Sequence, residues 1–169
     1  MSNVLIAYYS RKDENYVSGE LKYLSVGNTE VIANYIAKET KGDVFKIEQE
    51  KPYSKEYNEC IEEARRDQIN NNYLPLKNYL DNIDKYDVIY LGYPNYWNTM
   101  PMAVFTFLSK YDFKGKEIKP FCTHEGSRLG NSVSDIKMIC KDAIVKEGLP
   151  IKGSNVNNSL EEVKKWIYK

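Results

Sequence analysis

Residues 87–108, DVIYLGYPNYWNTMPMAVFTFL, hold a strand, a connection and a helix in one stretch. Val88 to Gly92 (VIYLG) is a short apolar run of β-formers, the pattern of a strand buried on both faces. Pro101 then stands where a helix begins, since its fixed φ suits the first turn and its missing N–H costs nothing there. Val104, Phe105 and Leu108 fall on one face of that helix. One β–α unit of this type asks for neighbours of the same type, and the chain supplies them on both sides.

Upstream, Val4 to Tyr9 (VLIAYY) is a second buried-strand pattern, and it breaks at Ser10. From Asn28 the period changes: Val31, Ile32, Tyr35 and Ile36 make one face of a helix that ends near Gly42. Val44 to Ile47 reads as the next strand, and Tyr57, Ile61 and Ala64 mark a helix before the polar stretch Gln68 to Asn72. Downstream, Ile118 to Thr123 is a strand, and Val133, Ile136, Ile139, Cys140 and Ala143 form the helix after it, closed by Gly148. Ile151 to Gly153 is a weak last strand, and Ser159 with Glu162 reads as a capping box for a final helix carrying Val163, Trp166 and Ile167. Five β–α units with short apolar strands predict an α/β fold: a doubly wound, five-stranded parallel sheet with helices on both faces. With no internal repeat, low-complexity tract or linker, residues 1–169 are expected to form one domain.

Composition narrows the function classes. Lys plus Arg equals Asp plus Glu at 24 each, so no cationic excess points to nucleic acid or an anionic membrane. Apolar stretches break off well before the roughly 20 residues that span a bilayer, and Met1 to Asn3 lead straight into a strand rather than a secretory segment. A soluble, cytoplasmic protein without membrane insertion is expected. The three cysteines, Cys60, Cys122 and Cys140, are far apart, form no CxxC and have only one histidine to help them, so buried thiols are expected rather than disulfides or a metal site. Fifteen tyrosines and two tryptophans are many for 169 residues, but the count alone identifies no site.

In an open α/β sheet, ligands sit beyond the carboxyl ends of the strands where the winding reverses. Three connections are therefore of interest: Ser10 to Thr29, Tyr93 to Met100 and Thr123 to Asn131. In the first, Gly27 permits a tight turn, and Asn28 and Thr29 bring side-chain donors and free N–H groups to a helix start whose dipole favours an anion. Ser10 adds a hydroxyl and Arg11 a charge. Ordinary helix capping by Asn28 or Thr29 is the plainer account of that turn alone. No lysine stands in the Walker position and the spaced glycines of a dinucleotide fingerprint are missing, which disfavours ATP or NAD held in those ways. The second connection places Tyr96 and Trp97 directly after a buried strand, with Pro94 and Pro101 stiffening its ends; two rings at a functional edge suit stacking on a flat ligand or covering the sheet edge. The third supplies Thr123, His124, Glu125, Gly126 and Ser127, with Gly126 letting amides approach a ring edge. His124 has no nucleophile paired with it in sequence. Together these groups describe a ligand with an anionic tail and a planar polar head.

The whole chain resembles the flavodoxins and flavodoxin-like FMN proteins, on the stretches VLIAYYSR, VGNTEVIANYIA, DVIYLGYPNYWNTMPMAVFTFL and CTHEGSRLGNS in that order. It is most similar to a bacterial branch with an extended phosphate loop. The resemblance implies strand order 2-1-3-4-5 and FMN as cofactor. It implies that Ser10, Asn28 and Thr29, with Arg11 and Gly27 beside them, meet the phosphate. Pro94, Asn95, Tyr96 and Trp97 would flank the isoalloxazine, and Thr123 to Ser127 would meet the ring from the other side. The chain departs from compact flavodoxins in RKDENYVSGELKYLSV, where Tyr16 to Tyr23 around Ser18-Gly19 suits a hairpin, either a flap or a docking surface. Arg128 stands where similar sequences often carry glycine. The implied function is electron transfer in one-electron steps to a redox partner protein or a small acceptor, with no catalytic side chain required. The alternatives are an NAD(P)H-dependent FMN reductase of quinones or flavins, and a sheet domain that has lost its cofactor. A phosphorylated receiver domain is disfavoured, because Tyr8, Tyr9 and Ser10 end the first strand where that chemistry needs acids.

Overall fold

The computed structural model describes residues 3–169. Met1 and Ser2, read above as leading into the first strand, lie outside the described residues. Strand β1 is Val4–Tyr8, and a hairpin of β2 (Asp13–Val17) and β3 (Glu20–Leu24) separates it from helix α1 (Asn28–Thr40). Next come β4 (Asp43–Lys46), α2 (Tyr57–Ile69), β5 (Val88–Pro94), α3 (Met102–Lys110), β6 (Glu117–His124) and α4 (Ser132–Ile139). The chain finishes with β7 (Ile144–Val145), β8 (Leu149–Lys152), a 3-10 turn over Gly153–Asn158 and α5 (Leu160–Ile167).

The main sheet runs β4-β1-β5-β6, with β7 and β8 both lying along the outer edge of β6, and every pairing in it is parallel. The winding starts at β1, moves out to β4, then reverses across β1 to β5 and onward. That is the expected doubly wound order. Its cause is visible in side-chain alternation, since successive strand residues point to opposite faces and both faces are covered. Leu5, Ala7, Tyr9, Ile89 and Leu91 face α3 and α4, where Ala103, Val104, Phe107 and Ile136 meet them. Ile6, Tyr8 and Tyr90 face the other way, toward Ile32 and Ile36 of α1 and Val163 and Trp166 of α5. Leu5, Ile6, Ile89 and Leu91 are at most 1% exposed, so each contributes about 1.5–3 kcal/mol by burial.

Three local expectations need correction. The helix after β6 ends at Ile139 instead of running to Ala143, because Cys140 leaves helical geometry and the chain turns so that Ile144 and Val145 pair with Glu117 and Ile118. β8 covers only Phe121 to His124, so these two β-branched residues fill the edge of β6 that β8 does not reach. Gly148 accordingly closes no helix. Nor is there a capping box at Ser159: its hydroxyl donates back to the Val156 carbonyl at 2.8 Å, and its φ and ψ of −101° and 4° are not the extended values a capping side chain needs. Among the described residues, no helix is long and apolar enough to cross a membrane.

The hairpin forms where the Ser18-Gly19 pair suggested. Both turn residues have positive φ, 53° and 82°, the two-residue geometry whose twist matches the flanking strands. β2 and β3 pair only with each other, so the hairpin stands off the main sheet.

Candidate functional site

Parallel strands put all their carboxyl ends on one edge, and the sheet register does the rest. Tyr8 lies beside Gly92, and Pro94 beside Thr123, so the connections leaving β1, β5 and β6 start as neighbours. Between them is a cavity of about 440 Å³, within the range of small-molecule sites. Asn28 and Thr29 at the start of α1, Pro94 to Asn98, and Thr123, His124, Glu125 and Ser127 line it. Arg11 joins them, as do Asn15 and Tyr16 of the hairpin and Tyr57, Cys60, Ile61 and Ala64 from one face of α2.

Of the residues singled out from sequence, Arg11, Asn28, Thr29, Pro94, Asn95, Tyr96, Trp97, Thr123, His124, Glu125 and Ser127 are brought together on this cavity. Ser10, Gly27 and Gly126 are not on its lining. Ser10 Oγ accepts the Glu30 N–H at 3.0 Å and so caps α1 from outside the helix. Gly27 packs under it, where a Cβ would lie 2.2 Å from Ser10 Oγ and 2.5 Å from the Arg11 carbonyl oxygen. Only glycine allows strand and helix start to approach so closely. The Val31 N–H reaches the Gly27 carbonyl at 3.3 Å. Of the helix's four leading donors, the N–H groups of Asn28 and Thr29 are left without an acceptor among the described residues. The positive end of the helix dipole is therefore open toward the cavity.

The connection after β5 is a tight turn. Tyr96 and Thr99 exchange both backbone hydrogen bonds, at 2.8 and 3.2 Å, while Trp97 and Asn98 sit at φ 51° and 73°. Asn95 fastens this turn: its Nδ2 donates to the Arg128 carbonyl at 2.9 Å and its Oδ1 accepts the Asn98 N–H at 3.0 Å. The two rings separate in role. Tyr96 packs edge-on against Tyr9, centroids 5.8 Å apart, with its hydroxyl buried and unpartnered among the described residues. Trp97 is 45% exposed at the rim, its Nε1 donating to the Ile61 carbonyl at 2.8 Å and its ring under the Arg65 guanidinium at 5.1 Å.

On the far wall, the Thr29 and Thr123 hydroxyls share a 2.7 Å hydrogen bond that ties the α1 start to the end of β6. His124 Nδ1 accepts the Gly126 N–H at 2.9 Å, which sets the turn after β6. Burial, and then the positive charges of Arg128 and Lys152, hold the His124 pKa below its usual value. Burial pushes the Cys60 thiol and the Tyr9 and Tyr96 phenols up, so all three are neutral hydrogen-bonding walls rather than charges. All three cysteines are buried and free. Arg11 is held off the open space: Nε donates to the Glu14 carbonyl at 3.0 Å and Nη2 to the Lys55 carbonyl at 2.8 Å. Glu125 Oε1 is buried without a donor among the described residues. Among the described residues, no hydrogen bond pairs a general base with a nucleophile on this lining.

The site residues that sequence reasoning missed are Asn15, Tyr16, Asn98 and the α2 face of Tyr57, Cys60, Ile61 and Ala64. The helical spacing of that face was legible, but a face turned to a cavity has the same spacing as one turned to a core.

The family model for flavodoxin matches residues 20–169. The chain belongs to the flavodoxin family. Solved structures agree on the fold of this flavodoxin. A protein from Bacteroides uniformis assigned as a flavoprotein is 25% identical over 99% of both chains, with a TM-score of 0.78. Another so assigned, from Bacteroides eggerthii, is 26% identical over 97% of this chain and 99% of its own, with a TM-score of 0.73. A flavoprotein from Lactobacillus acidophilus, solved in complex with FMN, shares the fold at 21% identity and a TM-score of 0.66, covering 99% of each chain. No curated protein sequence matches the chain.

Proposed function

We propose that the protein binds FMN in this cavity and serves as an electron carrier, passing electrons one at a time to a redox partner or small acceptor. The observation that carries the reading is the cavity's two-ended chemistry. One end offers the two free N–H groups and the Asn28 amide at the α1 start; elsewhere the lining presents the rings of Tyr16, Tyr57, Tyr96 and Trp97. A phosphomonoester with a planar aromatic head suits both ends. The FMN complex of the Lactobacillus acidophilus flavoprotein supports the same choice of ligand.

When bound, FMN supplies the electron chemistry at its ring. The protein's own work is to hold and tune. Main-chain donors at α1 would hold the phosphate without a lysine, and the Thr29–Thr123 bond keeps that end rigid. The phenols of Tyr9 and Tyr96 and the Cys60 thiol stay neutral through the working pH range, so they present an uncharged, low-dielectric wall. Such a wall disfavours added negative charge beside it and shifts reduction potentials downward. The hairpin and α2 wall the cavity on two sides.

A cavity of about 440 Å³ suits one mononucleotide, and among the described residues no side chain on its lining is paired for acid–base catalysis, which fits a carrier. A reductive titration of the FMN-loaded protein tests this. We expect two resolved one-electron steps and no steady oxidation of NADH or NADPH with a quinone present. Sustained turnover of NAD(P)H and quinone would assign it to the reductases.

A further inference from the structure

The outer edge of β3 is open in a way the β7–β8 margin of the main sheet is not. β7 is only two residues long, and β8 carries Pro150, which has no N–H to offer. β3 runs for five residues, Glu20–Leu24, pairs with β2 alone, and has Glu20, Leu21, Lys22 and Tyr23 all exposed. Which of its backbone groups face outward follows from the hairpin's register. The turn at Ser18-Gly19 is closed by Val17 and Glu20, which exchange hydrogen bonds, and bonded pairs then alternate with non-bonded ones along an antiparallel ladder. The Asn15–Lys22 pair is thus bonded, while Tyr16–Leu21 and Glu14–Tyr23 are not. Leu21 and Tyr23 therefore aim N–H and C=O away from β2, and among the described residues no backbone group outside the hairpin meets them.

The side chains decide what can pair there. Charges on an edge strand ordinarily deter pairing, and Lys22 set opposite Lys22 of a second copy would do so. If two copies instead cross antiparallel at Leu21, the sign reverses: Glu20 of each copy faces Lys22 of the other, twice over by symmetry. Leu21 then forms a bonded pair with its own counterpart, so its outward N–H and C=O are satisfied, and Tyr23 comes opposite Gly19, which has no side chain to obstruct it. The apolar surface agrees. Leu21 is 47% exposed, Tyr23 74% and Tyr16 44%, all on one face of the hairpin, and pairing makes that face continuous across both copies. The edge is also held on a fixed support, since Glu14 Oε1 accepts the Tyr57 N–H at 2.8 Å and Glu125 Oε2 the Ser18 N–H at 3.4 Å, which lowers the ordering cost of association. We infer that the protein forms a two-fold dimer through β3, the two hairpins joining into one four-stranded antiparallel sheet with Leu21 on the axis and two Glu20–Lys22 ion pairs beside it.

A contact of one short strand a side is small, so the dimer should depend on concentration, and sedimentation of the full-length protein from roughly 1 μM to 1 mM tests it. The average mass should rise from that of one chain toward that of two. Lys22→Glu and Glu20→Lys should each weaken the dimer about tenfold or more, because each sets like charges opposite one another in two places. An equimolar mixture of these two variants should recover it, since every facing pair is then opposite in sign. Leu21→Pro, which removes an outward N–H and leaves the ladder to β2 intact, should abolish it, with near-ultraviolet circular dichroism checking that each variant is folded. None of the altered residues lines the cavity, so the result is independent of what the cavity binds. A protein that stays monomeric across the whole range would overturn the inference. So would a dimer that Lys22→Glu and Leu21→Pro leave unchanged, which would place the contact on another face. Loss in both charge variants without recovery in their mixture would show another register and overturn this one.

Discussion

His124 shows how a single side chain on this site reports its surroundings. Burial comes first, then the nearby charges of Arg128 and Lys152, and together they favour the neutral imidazole in the folded protein. The geometry agrees, because a protonated Nδ1 could not accept the Gly126 N–H. With the folded pKa below the unfolded value of 6.5, the unfolded chain binds more protons in the interval between the two. His124 therefore imposes no stability cost above about pH 6.5, and a growing one as pH falls through that interval. Thermal unfolding of the wild type should shift downward between about pH 7.5 and 5.5 more steeply than that of His124→Asn, since asparagine can accept the same N–H two residues on and does not titrate. Equal slopes would show that the imidazole stays unprotonated for other reasons. Only part of this residue-scale picture was legible in sequence. Asn28, Thr29, Tyr96 and Trp97 could be placed near one another because topology fixes which loops meet, whereas the bond from the Glu30 N–H to Ser10 Oγ, which caps α1 and leaves the Ser10 O–H free to donate, could not be read. Which N–H a hydroxyl oxygen accepts from depends on a few tenths of an ångström that no spacing rule encodes.

The element that most distinguishes this chain is the hairpin. β2 and β3 share no pairing with the main sheet, yet Glu14 Oε1 accepts the Tyr57 N–H at 2.8 Å and so caps α2, while Tyr16 packs on Tyr57 with centroids 6.1 Å apart. No side chain of the α2 amino end does that job itself. The inserted element thereby holds the helix that walls the cavity. Glu14→Ala should cost about 0.5–2 kcal/mol in urea unfolding, as loss of a helix cap does, and should speed amide exchange in the first turn of α2. Unaltered exchange there would mean the helix is held by its apolar face alone. The turn itself was legible, since Ser18-Gly19 supplies two residues suited to positive φ. Its docking partner was not, because α2 offers the hairpin a backbone N–H, a group every residue possesses.

At the scale of the whole molecule, the winding reversal between β1 and β5 creates the crevice, and three connections fill its rim. This level was the most legible, because buried parallel strands write themselves as unbroken apolar runs and their order follows from handed crossovers. The edge of the sheet was the least legible. β7 is two residues long, and nothing local distinguishes Ile144-Val145 in a strand from the end of a helix. With 24 cationic and 24 anionic side chains, the molecule as a whole offers only weak long-range electrostatic steering. The central claim is that one end of the crevice binds a phosphate on peptide donors and the rest binds a flavin ring. The ratio of FMN to riboflavin affinity for the flavin-free protein tests it most directly. The account predicts tight FMN binding and riboflavin at least about tenfold weaker, because each charge-assisted bond to the phosphate contributes roughly 1.5–3 kcal/mol; equal affinities, or no binding of either flavin, would contradict it.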